Sequence, residues 1–325
     1  MKKRSSCWNG RGINKASFMQ MPFELTILGS SSATPTSQRY PTAQVLQVPG
    51  RSFLIDCGEG TQHQLRKNGI NFSRISHIFI SHLHGDHFFG LIGLISSFVL
   101  LGRKTDLHIF AHSELQRYTG FQLNFLEMDT GFKLIFHPLN FKKSQQLFED
   151  RKLTISSFPL KHRVPCCGFR FEEKPLQPNL IKEQLKKYQV PIADMRKIKE
   201  GGDYITPEGT LIPNHLLVKP ARPPRSYAYC SDTAFSEKTA EAVSGVSLLY
   251  HEATFAEADR KTAEQTFHST GMQAALIARS AQVKKLLIGH FSGRYKTTEG
   301  ILAEARTVFP ETHAVNDNDV YAVDL

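Results

Sequence analysis

"IFISHLHGDHFFGLIGL", residues 78–94, leads from a short apolar run through three histidines and an aspartate into an apolar helical pattern. His82 and His84 alternate along an extended segment, so their side chains leave on one side. Gly85 permits the turn that brings Asp86 and His87 inward. Imidazole and carboxylate without thiolate suit zinc or a similar divalent ion held for catalysis rather than for structure. One loop here offers more than one ion needs. Two ions roughly 3.5–4 Å apart would use all four residues, His82 and His84 on one and Asp86 and His87 on the other.

Such a pair demands further ligands, each at the end of a strand. Phe23–Leu28, Ser52–Asp56, Ile75–Ile80 and Leu107–Ala111 read as strands, with helices over Leu91–Leu101 and Ser113–Leu123. The second half repeats the style, with strands at Leu153–Phe158, Ser226–Cys230, Ser247–Tyr250 and Leu286–Gly289 and helices at Gly271–Ala281 and Thr298–Val308. This alternation predicts a layered α/β protein without an internal repeat. His162, Asp232 and His290 each follow one of these strands. Any one alone reads as a cap or a hydrogen-bonding residue; three beside the dense cluster read as ligands.

The 325 residues allow one large domain or two ordinary ones, and 40% hydrophobic content is enough for a sizeable core. Gly93, Ser96 and Ser97 break the longest apolar candidate, Leu91–Leu101, well short of the roughly 18 apolar residues of a membrane span, so no integral membrane protein is expected. Residues 1–21 form a basic lead-in without the apolar centre of a secretory signal, and are expected to be disordered ahead of a domain over 22–325. Five cysteines with no CxxC pair disfavour a disulfide framework and a thiolate zinc site, and point to the reducing cytoplasm. A net charge of +10 favours polyanionic partners. Residues 174–224, rich in Lys, Pro and Gly with modest apolar periodicity, read by composition as a solvated insertion.

"SHLHGDHFFGL" resembles the HxHxDH signature of the metallo-β-lactamase superfamily, and "GDHFFGLIGL" is similar to the narrower ribonuclease Z family. Further similar blocks follow in family order, among them "LIDCGEGTQHQL", "LKHRVPCCGFRFEEK", "RSYAYCSDTAF", "LLYHEATF", "HSTGMQAALIARSA" and "LLIGHFSGRY". The resemblance implies a four-layer αβ/βα sandwich and a homodimer acting on precursor tRNA. It also implies two Zn2+ per subunit: one held by His82, His84 and His162, the other by Asp86, His87 and His290, with Asp232 bridging. His268 would be the non-ligand catalytic histidine, and Ser292 and Arg294 would lie near the scissile phosphate. The insertion 174–224 takes the place of the family's flexible tRNA-binding arm, where Lys182, Lys186, Lys187, Arg196, Lys197 and Lys199 would meet phosphates. Two departures stand out. Val190-Pro191 is followed by Ile192-Ala193-Asp194 instead of the Gly-Pro pair common in bacterial arms, and "PTSQRY", residues 35–40, replaces the family's PxKxRN.

The chemistry expected of such a site is attack on phosphorus by an oxygen that two Lewis-acidic ions have deprotonated. The leaving oxygen needs a proton. His268 is the candidate donor and Glu252 the candidate to hold its other ring nitrogen, although the sequence leaves open which histidine Glu252 touches. Asp86, His268 and Glu252 thus form the catalytic set. His251 reads as no ligand, and His77, His108, His112, His137, His215 and His313 as packing or surface residues. An alternative is a hydrolase of small phosphodiesters or other small esters on the same fold, which would need the metals but not the arm; a third is an RNA-binding protein with a vestigial site.

Overall fold

The computed structural model describes residues 23–324, so the basic lead-in lies outside the described residues. Two seven-stranded sheets face each other. The first runs in the order β18 (Val320–Ala322), β1 (Glu24–Gly29), β2 (Ala43–Val48), β3 (Arg51–Ile55), β4 (Ile75–Phe79), β5 (Leu107–Ala111), β6 (Leu134–Pro138). Its pairs are antiparallel from β18 to β3 and parallel from β3 to β6. The second sheet runs β17 (Thr312–Ala314), β16 (Lys285–Gly289), β15 (Leu248–Glu252), β14 (Ser226–Cys230), β9 (Cys166–Glu173), β8 (Leu153–Leu160), β7 (Gln145–Glu149). Here β17 to β14 are parallel and β14 to β7 antiparallel.

Parallel neighbours require crossovers, and these place helices on the outer faces. Helices α1 (Thr61–Lys67), α3 (Leu91–Leu100) and α4 (Ser113–Phe125) cover the first sheet, and α8 (Glu237–Ala242), α10 (Gly271–Ser280) and α11 (Glu299–Val308) the second. Between the sheets, Phe53, Phe79 and Phe110 meet Phe169, Phe171, Tyr227 and Tyr250 in one aromatic core. Alternation along each strand produces this: Leu248 and Tyr250 face the inner core while Leu249 faces the outer helices. The result is the four-layer αβ/βα sandwich.

The fold differs from the sequence reading in its thinner signals. Strands β2, β6, β7 and β9 carry no expectation above, because their apolar residues are few or interrupted by Gln, His or Cys. Three other elements run two residues past their expected ends, β8 to Leu160, α4 to Phe125 and β15 to Glu252.

The insertion is a folded module, which corrects the solvated reading. Strand β10 (Asn179–Leu180) pairs with β13 (Val218–Lys219), and β11 (Tyr204–Ile205) with β12 (Leu211–Ile212). With α5 (Lys182–Lys187), α6 (Met195–Lys199) and α7 (Asn214–Leu217), they enclose Leu185, Val190, Ile198, Tyr204, Ile212, Leu217 and Val218. Those side chains come from short elements with no shared period, so no window of sequence displays them.

The module leaves from the end of β9 and returns at the start of β14. Glu173 clamps this root. It accepts from Arg222 Nη1 and Nη2 at 2.6 and 2.9 Å and from Arg225 Nε and Nη2 at 3.0 and 2.7 Å. Burial pushes the Glu173 carboxyl up, but the two guanidinium groups outweigh it and hold it at about 2. No helix among the described residues is long and apolar enough to cross a membrane.

Candidate metal centre

The strands that carry site residues end on one edge of the sandwich, and their loops meet there. His82 and His84 follow β4, with His84 as the extended N-cap of α2 (Gly85–Phe88), while Asp86 and His87 lie within that single turn. His162 follows β8, Asp232 follows β14, Glu252 ends β15 and His290 follows β16. His290 has φ +60 and Asp56, after β3, has φ +54, a left-handed backbone that non-glycine residues rarely adopt outside sites that hold them there. Gly85 does something other than turn the chain. It opens α2 as ordinary helix, and the Phe89 ring lies so close over it that a Cβ would meet Cε2 at 2.2 Å and displace the ring.

Seven side chains converge in two groups joined by one carboxylate. In the first, His82 Nε2 lies 3.0 Å from His84 Nδ1, and His162 Nε2 3.3 Å from that same Nδ1. Asp232 Oδ2 faces this group, 3.5 Å from His82 Nε2 and 3.8 Å from His162 Nε2. The other oxygen, Oδ1, faces the second group, 3.4 Å from His87 Nε2 and 3.1 Å from His290 Nε2. Asp86 Oδ2 completes it at 3.5 Å from each of those nitrogens.

Outer partners fix which nitrogen each ring presents. His87 Nδ1 donates to Asp56 Oδ2 at 2.8 Å, and His162 Nδ1 donates to the Phe267 carbonyl at 2.9 Å, so in both the lone pair is at Nε2. Thr254 Oγ1 donates to Glu252 Oε2 at 2.8 Å and therefore accepts from His290 Nδ1 at 2.9 Å, with the same consequence. Asp56 is itself held by the Ser81 N–H and hydroxyl and the Tyr229 hydroxyl.

Burial would lower His87, but Asp86, Asp232 and Asp56 outweigh it and raise it well above the usual range, so these carboxylates call for positive charge that a cation would supply. Burial pushes His82 down to about 4 and lowers His84 and His162, which keeps their imidazoles neutral. Burial opposes ionisation of Asp232, yet His290 and His87 outweigh it and keep the carboxylate well below its usual range. His87 Nε2, His290 Nε2 and Asp232 Oδ1 are buried without a hydrogen-bond partner among the described residues. Each such orphan costs about 1–3 kcal/mol. A pair of divalent cations would satisfy all three, so the residues present fit the metal the motif implies.

Beside this cluster, His268 Nδ1 lies 3.0 Å from Glu252 Oε1. Burial alone would lower His268; the Glu252 carboxylate reverses that and raises it to about 9. His268 opens on a cleft of about 580 Å³ that is also lined by His84, Asp86, His162, Asp232 and His290, with Glu252 buried behind it.

A protein from Bacteroides fragilis (strain YCH46) named Ribonuclease Z is 49% identical over 296 residues, covering 91% of this chain and 97% of that protein. The chain belongs to the ribonuclease Z family. The crystal structure of human tRNase Z, short form, matches the ribonuclease Z fold seen here with a TM-score of 0.68 at 25% identity, covering 93% of this chain and 100% of that one. The metallo-β-lactamase fold protein YhfI from Bacillus subtilis has a TM-score of 0.66 at 18% identity, covering 93% of this chain and 99% of that one. A family model described as Anti-Pycsar protein Apyc1 matches residues 23–174, less than half of the chain.

Other residues expected to serve a ribonuclease Z site lie outside the cleft. Arg294 is exposed, pairs with Asp259 at 3.5 Å and sits 4.8 Å above the Phe255 ring. Ser292 lines a separate groove of about 310 Å³ together with Thr36, Ser37 and Arg39. Lys182, Lys186 and Lys187 lie on α5, and Arg196, Lys197 and Lys199 on α6, all exposed except half-buried Lys199. His251 is buried, with Nδ1 on the Glu252 carbonyl at 2.7 Å. His77, His108 and His137 stack as a ladder with centroids 4.9 and 5.2 Å apart, away from the metal cluster. Asp56 and Thr254 were not singled out by sequence, although both sit in the quoted blocks "LIDCGEG" and "HEATF".

Proposed function

We propose that this chain, a tRNA 3′-processing endoribonuclease of the ribonuclease Z family, holds two zinc ions per subunit and works as a cytoplasmic homodimer. The observation that carries the metal reading is Asp232, whose two oxygens face two separate histidine groups. His82, His84 and His162 would hold one ion, and Asp86, His87 and His290 the other. When bound, the pair supplies Lewis acidity, lowering the pKa of water and neutralising charge on phosphoryl oxygens.

The chain's own residues do the rest. Ala33 N–H donates to Asp86 Oδ2 at 2.8 Å and fixes that carboxylate from the opposite wall of the cleft. Glu252 orients His268 through Nδ1 and stabilises its charged form, leaving Nε2 to hand a proton to the leaving oxygen. Exposed cations on α5 and α6 supply sequence-tolerant contacts to tRNA phosphates.

The homodimer is supported by where the arm is rooted. Cys166, at the start of β9, lies 3.6 Å from His82, whereas the arm leaves at the far end of that eight-residue strand, on the order of 25 Å away. An arm placed there serves a neighbouring subunit's cleft more readily than its own. Free, buried Cys57, Cys166, Cys167 and Cys230 support a reducing compartment.

The test is zinc content per chain, followed by cleavage of a precursor tRNA carrying a 3′ trailer. Two zinc ions and cutting at the acceptor end are expected, with both lost in Asp232→Ala. Cutting by metal-stripped protein, or an Asp86→Ala variant as fast as the parent, would refute the assignment.

A further inference from the structure

We infer that Phe89 is a stacking platform for a nucleobase beside the scissile phosphodiester, a role that rests on the tRNA-cleaving reading above. Phe89 lines the same cleft as His84, Asp86 and His268, yet its side chain is 54% exposed. A large apolar ring left open in the cleft that holds the ligand cluster forgoes burial that most phenylalanines obtain. The exposed ring also packs against the chain on one side. It lies on the backbone of Gly85, where a Cβ would come within 2.2 Å, and the Phe88 ring meets it edge-on at 4.9 Å and 67°. Phe88 is itself buried and braced by Tyr118 at 5.4 Å and 89°.

A ring already packed on the chain has less conformational freedom to lose when a partner stacks on it. Arg163 stands on the wall of the cleft, and every nucleobase offers a π-face to an aromatic ring regardless of sequence. Tyr40 is the contrasting case. It is 37% exposed but already stacks on His63 at 6.4 Å and shields Gly60, so its ring is engaged within the chain. Phe89 sits three residues from Asp86, within reach of a nucleotide whose phosphate lies at the metal cluster.

The test is a cycle between the protein and the substrate. Precursor tRNAs carry an abasic residue on the 3′ or the 5′ side of the cut, and kcat/KM is measured for the parent, Phe89→Ala, Phe89→Leu and Phe89→Tyr. Stacking predicts that Phe89→Ala and Phe89→Leu each lose about tenfold on the intact precursor while Phe89→Tyr retains activity. At one of the two positions, the abasic residue should cost the parent about tenfold and the Ala and Leu variants nothing further. Equal losses on intact and abasic substrates at both positions would overturn the inference, as would Phe89→Leu behaving like the parent. A change of oligomeric mass on Phe89→Ala would also overturn it, by assigning the ring to a subunit contact. Uncut precursor with the parent would defeat the functional reading itself, and the inference with it; cutting that is indifferent to Phe89 would defeat the inference alone.

Discussion

Thr254 decides which nitrogen His290 offers to a cation, because its single hydroxyl proton is committed to Glu252. Thr254→Val leaves His290 Nδ1 and one Glu252 oxygen without that partner, and zinc affinity should fall by roughly 10–100-fold in a chelator competition, with Thr254→Ser restoring most of it. Glu252→Gln acts differently. It removes the charge that holds His268 protonated and sets an amide NH2 against the N–H groups that Glu252 accepts from, so turnover should drop by roughly 10²–10⁴-fold, with a smaller fall in bound zinc through Thr254 and His290. At this scale the sequence displayed the residues with nitrogen and carboxylate to offer, since HxHxDH is contiguous. It did not display Asp56 or Thr254, whose importance comes from hydrogen bonds to residues 31 and 36 positions away.

Among the elements, the root of the arm has a pH-dependent lock. The folded pKa of Glu173, about 2, lies below the ordinary glutamate value, so its contribution is complete above the ordinary range and is lost as pH falls from there toward 2. Pepsin cleavage within 174–224 should therefore rise through that window, and Glu173→Gln should be cleaved readily at every acid pH without the step. The long strands and helices with clear periodicity, β4, β5, α3 and α10, match their expected ranges to within a residue. The arm does not, because its core is assembled from seven side chains spread over elements of two to six residues. No local window carries that information.

For the whole molecule, the arm and the cleft occupy opposite ends of the second sheet, which makes the dimer proposal testable through selectivity. Deleting residues 174–224 should raise KM for precursor tRNA by roughly 10²–10⁴-fold and spare a small bis-aryl phosphodiester. If both activities fall alike, the small-ester alternative gains. The outer face of α4 leaves Phe121 66% and Phe125 75% exposed, an apolar strip that supports self-association. Phe121→Asp with Phe125→Asp should reduce the mass in light scattering to one chain, and should reproduce the selective loss of tRNA cleavage, since each arm then lacks a neighbouring cleft.

By itself the sequence determined the alternation of strands and helices and the chemistry of the ligands, because apolar period and side-chain donor type are properties of neighbouring residues. Only the tertiary structure decided that Asp232 turns one oxygen to each histidine group, that Glu252 holds His268, and that the basic module folds at the end remote from the cleft. Those outcomes depend on strands far apart in the chain ending on a common edge, and contacts of that kind arise only when the two sheets close on their aromatic core.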